Sequence, residues 1–193
     1  MNVYDFDGTI YDGDSCRDIV KYGLRKHPIL TLQSLFGALN KYIKYKRGLV
    51  PFEEVKEKLL SFIFKIKNYN KFIDGFVNDH ARKIKKWYFK RKDTNDVIVS
   101  ASYELWLVKF ARKIGIKHVI GTKTNKDGKI IGKNCKHKEK VIRFRKLFPH
   151  KKIESSYTDS SVDIPILEIA QKSYVVEGND LKPYKKGYQF KNN

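Results

Sequence analysis

Cysteine is scarce. Cys16 and Cys135 are too few for a disulfide framework in a chain of 193 residues, which suits a reducing cytoplasm. Cys135 and His137 stand without the tighter Cys/His cluster that a zinc site needs. No run of about 18 apolar residues occurs, so no membrane-spanning helix is expected. The N-terminus runs straight into an apolar strand, so no secretory signal is expected either. Acidic residues are in the minority, 21 against 41 basic, for a net charge of +20. Arginine is rare within that surplus: 8 residues against 33 lysines, spread along the chain. Specific nucleic-acid sites favour arginine for its bidentate fork, so no specific nucleic-acid partner is expected. A general, weak attraction to anionic substrates or to an anionic membrane surface fits the charge better. The remaining composition is that of an ordinary globular protein. Hydrophobic residues make up 41%, and the length suits one core of ordinary size plus a small insert.

The first twelve residues, M-N-V-Y-D-F-D-G-T-I-Y-D, carry the most information. Asn2 to Phe6 reads as a short strand ending on carboxylates, followed by a Gly-Thr turn. Asp5 and Asp7 are two apart, a spacing that puts them on one face of a regular strand. Paired carboxylates at a strand end, with a glycine after them, suit magnesium-dependent phosphoryl transfer. One can attack phosphorus, the other can handle protons, and Mg²⁺ offsets the crowded charge.

Residues 12 to 88 read as a small all-helical insert. Asp14 or Ser15 can N-cap a first helix that runs to about Lys26, where Pro28 stops it. Leu32, Leu35, Phe36, Leu39, Tyr42 and Ile43 repeat at helical spacing, and Gly48 breaks that helix. Pro51 suits a first helical position, with Val55 to Ile66 as the next apolar face. Phe72 to Trp87 marks a fourth helix. These aromatic stripes are read as core packing.

After the insert, strands and helices alternate. Strands are expected at Val97–Ser100, His118–Ile120, Ile153–Thr158 and Tyr174–Val176. Helices are expected at Tyr103–Ile114, His137–Phe148 and Ile164–Gln171, with a hairpin around Asp127-Gly128. The expected fold class is therefore α/β, a Rossmann-like parallel sheet flanked by helices. Ligands of such sheets bind outside the carboxyl ends of the strands, where Asp5, Asp7, Ser100 and Asp159 all fall.

At these residues the chain resembles the haloacid dehalogenase (HAD) superfamily, whose signature is D-x-D-G-T at the end of the first strand. Three further pieces follow in the family's order: V-I-V-S (Val97 to Ser100), Lys140 in K-H-K-E-K-V, and Y-T-D-S-S-V-D (Tyr157 to Asp163). The resemblance implies a catalytic core from residues 1–11 and 89–193 with a helical C1-type cap at 12–88. The nearest branch is subfamily IB, which contains phosphoserine phosphatase.

What the resemblance implies for the site is specific. Asp5 is the expected nucleophile, forming an aspartyl-phosphate, and Asp7 the expected general acid and base. Gly8 and Thr9 of the turn, with Ser100 and Ala101 after the second strand, are the expected phosphate-binding positions; Ser102 is a weaker candidate. Lys140 is the expected active-site lysine, with Lys138 the alternative. Asp5, Asp7 through its backbone carbonyl, Asp159 and Asp163 are the expected Mg²⁺ ligands, although Asp163 can instead cap its helix. Phosphoserine phosphatases carry a Glu nine residues after the nucleophile to meet the substrate amine. Here that position holds Asp14, one methylene shorter, and Arg25 and Arg47 match no motif arginine, so phosphoserine itself is not implied. The expected activity is a cytoplasmic Mg²⁺-dependent phosphatase, monomeric or homodimeric, acting on a small phosphorylated metabolite. A lipid head-group phosphatase and a phosphotransferase with the same nucleophile are the alternatives.

Overall fold

The computed structural model describes residues 1–190. Strand β1 (Asn2–Tyr4) is followed by helices α1 (Ser15–Lys26), α2 (Pro28–Lys46), α3 (Phe52–Lys65) and α4 (Tyr69–His80), a single 3₁₀ turn, and short α5 (Lys86–Phe89). Then come β2 (Val97–Tyr103), α6 (Glu104–Ile114), β3 (His118–Thr122), α7 (Lys138–Leu147), β4 (Ile153–Thr158), short α8 (Ile164–Leu167), β5 (Ala170–Glu177) and β6 (Asp180–Pro183). The sheet order is β3-β2-β1-β4-β5-β6, with all neighbours parallel except the β5–β6 hairpin. The fold is the expected α/β class, with a helical insert between the first two strands.

Strand β1 is central, and the chain steps from it to β2 on one side and later to β4 on the other. This reversal opens a crevice at the carboxyl ends. Register aligns that edge: Tyr4 pairs with Ile98 on β2 and with Tyr157 on β4. Asp5, Ser100 and Asp159 therefore leave the sheet within about one residue of one another. Beneath them Tyr4, Tyr157 and Tyr174 stack across three neighbouring strands, with ring centroids 4.5 and 5.0 Å apart. Such aromatic pairs on adjacent strands stabilise the sheet beyond their burial.

The insert is built from the predicted helices with different limits. Pro28 ends α1 and also begins α2, where its missing N–H costs nothing. Pro51 is the residue before α3 rather than its first residue. The fourth helix stops at His80, and Trp87 belongs to the separate α5. Helix α4 packs on α6, with Phe76 against Phe110 and Lys109 bonded to Asp74 at 2.6 Å. The expectation that the aromatic stripes are core holds for α3 and α4 but not for α2. Its buried residues are Thr31, Ser34 and Ala38, whereas Leu32, Phe36, Leu39, Tyr42 and Ile43 face outward. Ser34 bonds Ser61 of α3 at 3.0 Å, and a Cβ on Gly37 would press on the Lys58 side chain, so small residues set the α2–α3 approach.

The sheet differs from the expectation in several places: β1 ends at Tyr4 rather than Phe6, and β6 extends it beyond the expected strands. Strand β2 runs on to Tyr103 through an irregularity between Val99 and Tyr103, so Ser100, Ala101 and Ser102 lie in a bulge. At the other edge α8 ends at Leu167 instead of Gln171, because residues from Ala170 onward join β4 as strand β5.

Candidate active site

A cleft of 1090 Å³ lies at the carboxyl edge of the sheet and is walled by α1 and α3. Asp5, Asp7, Gly8, Asp14, Ser100, Ala101, Lys140, Asp159 and Asp163 all line it. Thr9 lies beneath the floor, fully buried.

Asp5 is gripped on both oxygens. Lys140 Nζ donates to one at 2.7 Å, and the Thr9 hydroxyl lies 3.5 Å from the other. That hydroxyl also lies 3.2 Å from an Asp159 carboxylate oxygen and accepts the Asp159 amide at 3.0 Å. Thr9 thus links the first strand's carboxylate to the fourth's. Gly8 allows this closeness. Its φ is +72°, and a Cβ there would sit 1.9 Å from Asp159 Oδ2. Replacing Gly8 with Ala is expected to cost more than about 1 kcal/mol, because strain and overlap with a fixed carboxylate act together. Urea melts of the variant check this, and an unchanged midpoint would contradict the close approach.

Lys140, on the first turn of α7, is buried between Asp5 and Asp163, with Asp163 Oδ2 at 2.6 Å. Burial alone would lower its pKa; the two carboxylates overcome that and hold the ammonium above its usual range. The residue before α7, His137, has φ 52° and ψ −133°, an unusual backbone for a non-glycine that sets the helix's entry angle. Lys138, the alternative lysine, is exposed. Asp163 makes no side-chain cap bond. Instead Oδ2 accepts from both Lys140 and Thr158, while Oδ1 is buried without a hydrogen-bond partner.

Asp7 sits in a different environment. Its oxygens accept from the Ser15 amide at 2.6 Å and the Ser102 hydroxyl at 2.5 Å. Ser15 and Ser102 bond each other at 3.1 Å, and Trp106 Nε1 donates to Ser15 at 3.0 Å. Burial raises the Asp7 pKa against the opposing pull of these donors. A raised pKa shifts a carboxyl toward the protonated form that a general acid uses. Ser102, the weaker phosphate candidate in the sequence, is thus bound to Asp7. Asp14 is exposed at the cleft rim and caps α1 through the Arg17 amide at 2.8 Å.

Three further side chains, Lys56, Thr122 and Lys85, make contacts that no sequence motif marks. Lys56 of α3 reaches into the β2 bulge, donating to Ala101 O at 2.6 Å and to Asn134 at 2.9 Å. Thr122 bonds the same two acceptors, at 2.6 and 2.8 Å. Lys85 ties the Gly8 carbonyl to that of Gly178, so the motif turn is fastened to the β5–β6 hairpin.

The oxygen-only donor set fits Mg²⁺, a hard cation. Burial pushes Asp5 well above the ordinary carboxylate range despite Lys140, and neighbouring Asp163 and Asp159 add to the rise; burial likewise raises Asp159. Such crowding is relieved by a divalent cation. Among the described residues no three Asp, Glu, His or Cys side chains form a ready-made metal cage. Mg²⁺ does not need one, since it is commonly held by one or two carboxylates with waters and substrate phosphate.

The family model for haloacid dehalogenase-like hydrolases matches residues 3–168. Protein CicA of Caulobacter vibrioides is 32% identical over 186 residues, covering 89% of this chain and 84% of that protein. Among solved structures, a protein with unknown function from Bordetella pertussis Tohama I matches with TM-score 0.73 at 19% identity, covering 90% of this chain and 87% of that one. A phosphoserine phosphohydrolase-like protein from Francisella tularensis matches with TM-score 0.59 at 18% identity, covering 93% and 88%. Likeness at such identities concerns the fold.

Proposed function

This chain belongs to the haloacid dehalogenase-like hydrolase family, and from that footing we propose that it is a Mg²⁺-dependent phosphomonoester phosphatase. The observation that carries the reading is the setting of Asp5, one oxygen on Lys140 and the other beside the Thr9 hydroxyl that also meets Asp159.

In this reading Asp5 attacks phosphorus in line with the ester oxygen. The P–O bond to the alcohol breaks as Asp7 gives that oxygen its proton. Asp7, now a carboxylate, takes a proton from water, whose oxygen attacks the aspartyl-phosphate. The bond to Asp5 then breaks and inorganic phosphate leaves. Lys140 offsets charge on Asp5 and on the phosphoryl oxygens, with Asp163 fixing its position. Ser100 and the Ala101 amide, held in the bulge, bond the phosphoryl oxygens. Asp5, Asp159 and the Asp7 carbonyl would hold Mg²⁺, which supplies neutralisation of the crowded charge. Residues 12–88 act as the cap, since Arg17 and Lys21 of α1 and Val55, Lys56 and Leu59 of α3 line the cleft.

The expected substrate is a small phosphorylated metabolite. An amphiphilic phosphate ester is the second reading, favoured by an apolar wall of Leu35, Phe52, Val55 and Leu59 in the same cleft. A screen of phosphorylated amino acids, sugars, nucleotides and lipid head groups separates the two. Activity should vanish in EDTA and return with Mg²⁺, and Asp159→Ala should raise the Mg²⁺ requirement at least about tenfold. Full turnover in metal-free buffer would overturn the metal assignment.

A further inference from the structure

Helix α2 has its amphipathicity reversed. Small and polar residues, Thr31, Ser34 and Ala38, are the buried ones, and the solvent side carries Ile29, Leu32, Phe36, Leu39 and Ile43. The spacings of 3, 4, 3 and 4 residues make this one continuous stripe along the helix. It is not a set of scattered side chains: Ile29 is 72% exposed and Phe36 69%. The stripe continues around the α2–α3 turn, where Leu49 is 68% exposed and Phe52 is also open to solvent. A contiguous apolar surface of this kind marks an interaction site.

The charge beside the stripe identifies the partner. Helix α2 contains no acidic residue, and its last turns and the turn after them carry Lys41, Lys44, Lys46 and Arg47. Of these, Lys41 is paired with Glu54 at 2.5 Å. Tyr42 and Tyr45 lie among the basic residues, both exposed. Apolar side chains on one face, tyrosines at its border and long basic side chains around them match an interfacial helix lying in the head-group region of a bilayer. A second copy docking through the same helix would set positive charge against positive charge, because α2 itself carries no acidic residue. No helix among the described residues is long and apolar enough to cross a membrane.

We propose that the outer face of α2, with the α2–α3 turn, docks on an anionic lipid bilayer surface. The apolar stripe enters the interface, and Lys44, Lys46 and Arg47 meet the lipid phosphates. Leu35 of α2 and Phe52 of α3 also line the catalytic cleft, so docking brings the cleft's apolar wall beside the lipid surface. This inference concerns binding and stands whether or not the phosphatase reading does.

The test is co-sedimentation of the full chain with vesicles of phosphatidylcholine alone and of phosphatidylcholine mixed with phosphatidylglycerol. Binding is expected to the mixed vesicles, weakening as salt is raised. The triple variant Lys44→Gln, Lys46→Gln, Arg47→Gln should lose about a hundredfold in vesicle affinity, about fivefold for each charge removed. Phe36→Gln with Leu39→Gln should lose at least about tenfold while keeping the wild-type melting curve, since both positions are already exposed. Absence of binding to the mixed vesicles would overturn the proposal, as would equal binding by the Phe36/Leu39 variant. A wild-type dimer in light scattering that becomes a monomer in that variant would assign the face to a second copy instead.

Discussion

Asp5→Asn is expected to reduce turnover more than about a thousandfold on any ester the native protein hydrolyses, because in the proposed mechanism Asp5 is the group that forms the covalent bond. The amide nearly matches the carboxylate in shape, and its carbonyl oxygen can still accept from Lys140 at the present 2.7 Å position. The fold should therefore survive. Stability should even gain in metal-free buffer. Burial holds Asp5 well above the ordinary carboxylate range, so its contribution to stability is fully present below the unfolded pKa of about 4 and is lost as pH rises through the folded value. At neutral pH without a cation the ionised carboxylate is a cost, and Asn does not carry it. In EDTA at pH 7 the variant should melt at or above the native temperature, with the difference closing toward pH 4. Differential scanning calorimetry and a phosphate-release assay read the two arms. A variant that kept more than a few per cent of native kcat would remove Asp5 from the nucleophile's role.

The site's carboxylates were legible because strand ends are legible. A short apolar strand running into D-x-D-G-T, with Ser100 after the apolar run Val97–Val99 and Asp159 just past the end of β4, leaves little freedom once the sheet is parallel. The lysines were not legible in the same way. Lys140 and Lys138 look alike in sequence, and only the phase of α7, entered through the unusual backbone of His137, buries one and exposes the other. Lys56 and Lys85 find their partners on main-chain carbonyls far away in sequence, which no side-chain motif records. The β2 bulge depends on Thr122 and Lys56 reaching Ala101, again a long-range event. By contrast β6 has a local sign in the sequence: Gly178-Asn179, between Val175–Glu177 and Asp180–Leu181, is a two-residue hairpin turn, and Gly178 has φ 61°. Helix α2 shows the limit of periodicity. Spacing locates an apolar face but does not say whether protein covers it, and here the covered side is Thr31, Ser34 and Ala38.

Lys140→Met should cost both activity and stability, and the size of the second effect tests how the site is held. In the native protein the ammonium is nearly inaccessible and bonds Asp5 at 2.7 Å and Asp163 at 2.6 Å. Methionine fills similar volume but leaves two buried carboxylates without their cation. Breaking a buried pair from one side costs about 3–5 kcal/mol, far more than the pair itself contributes. Lys138→Ala, at an exposed position of the same turn, should stay within about 0.5 kcal/mol of the native protein. The pH dependence distinguishes charge from packing. Lys140 is held above the usual lysine range by its carboxylates, so its contribution is complete below the unfolded pKa of about 10.4 and fades only at strongly alkaline pH. Between pH 5 and 8 any pH trend peculiar to the variant therefore comes from carboxylates. Asp5, raised by burial even with Lys140 present, rises further without it, so the deficit should be smaller at pH 5 and larger at pH 8. Urea melts at the two pH values measure it. A deficit of equal size at both would mean that Lys140 matters for packing alone. No deficit in Lys140→Met alongside a large one in Lys138→Ala would transfer the role to the neighbouring lysine.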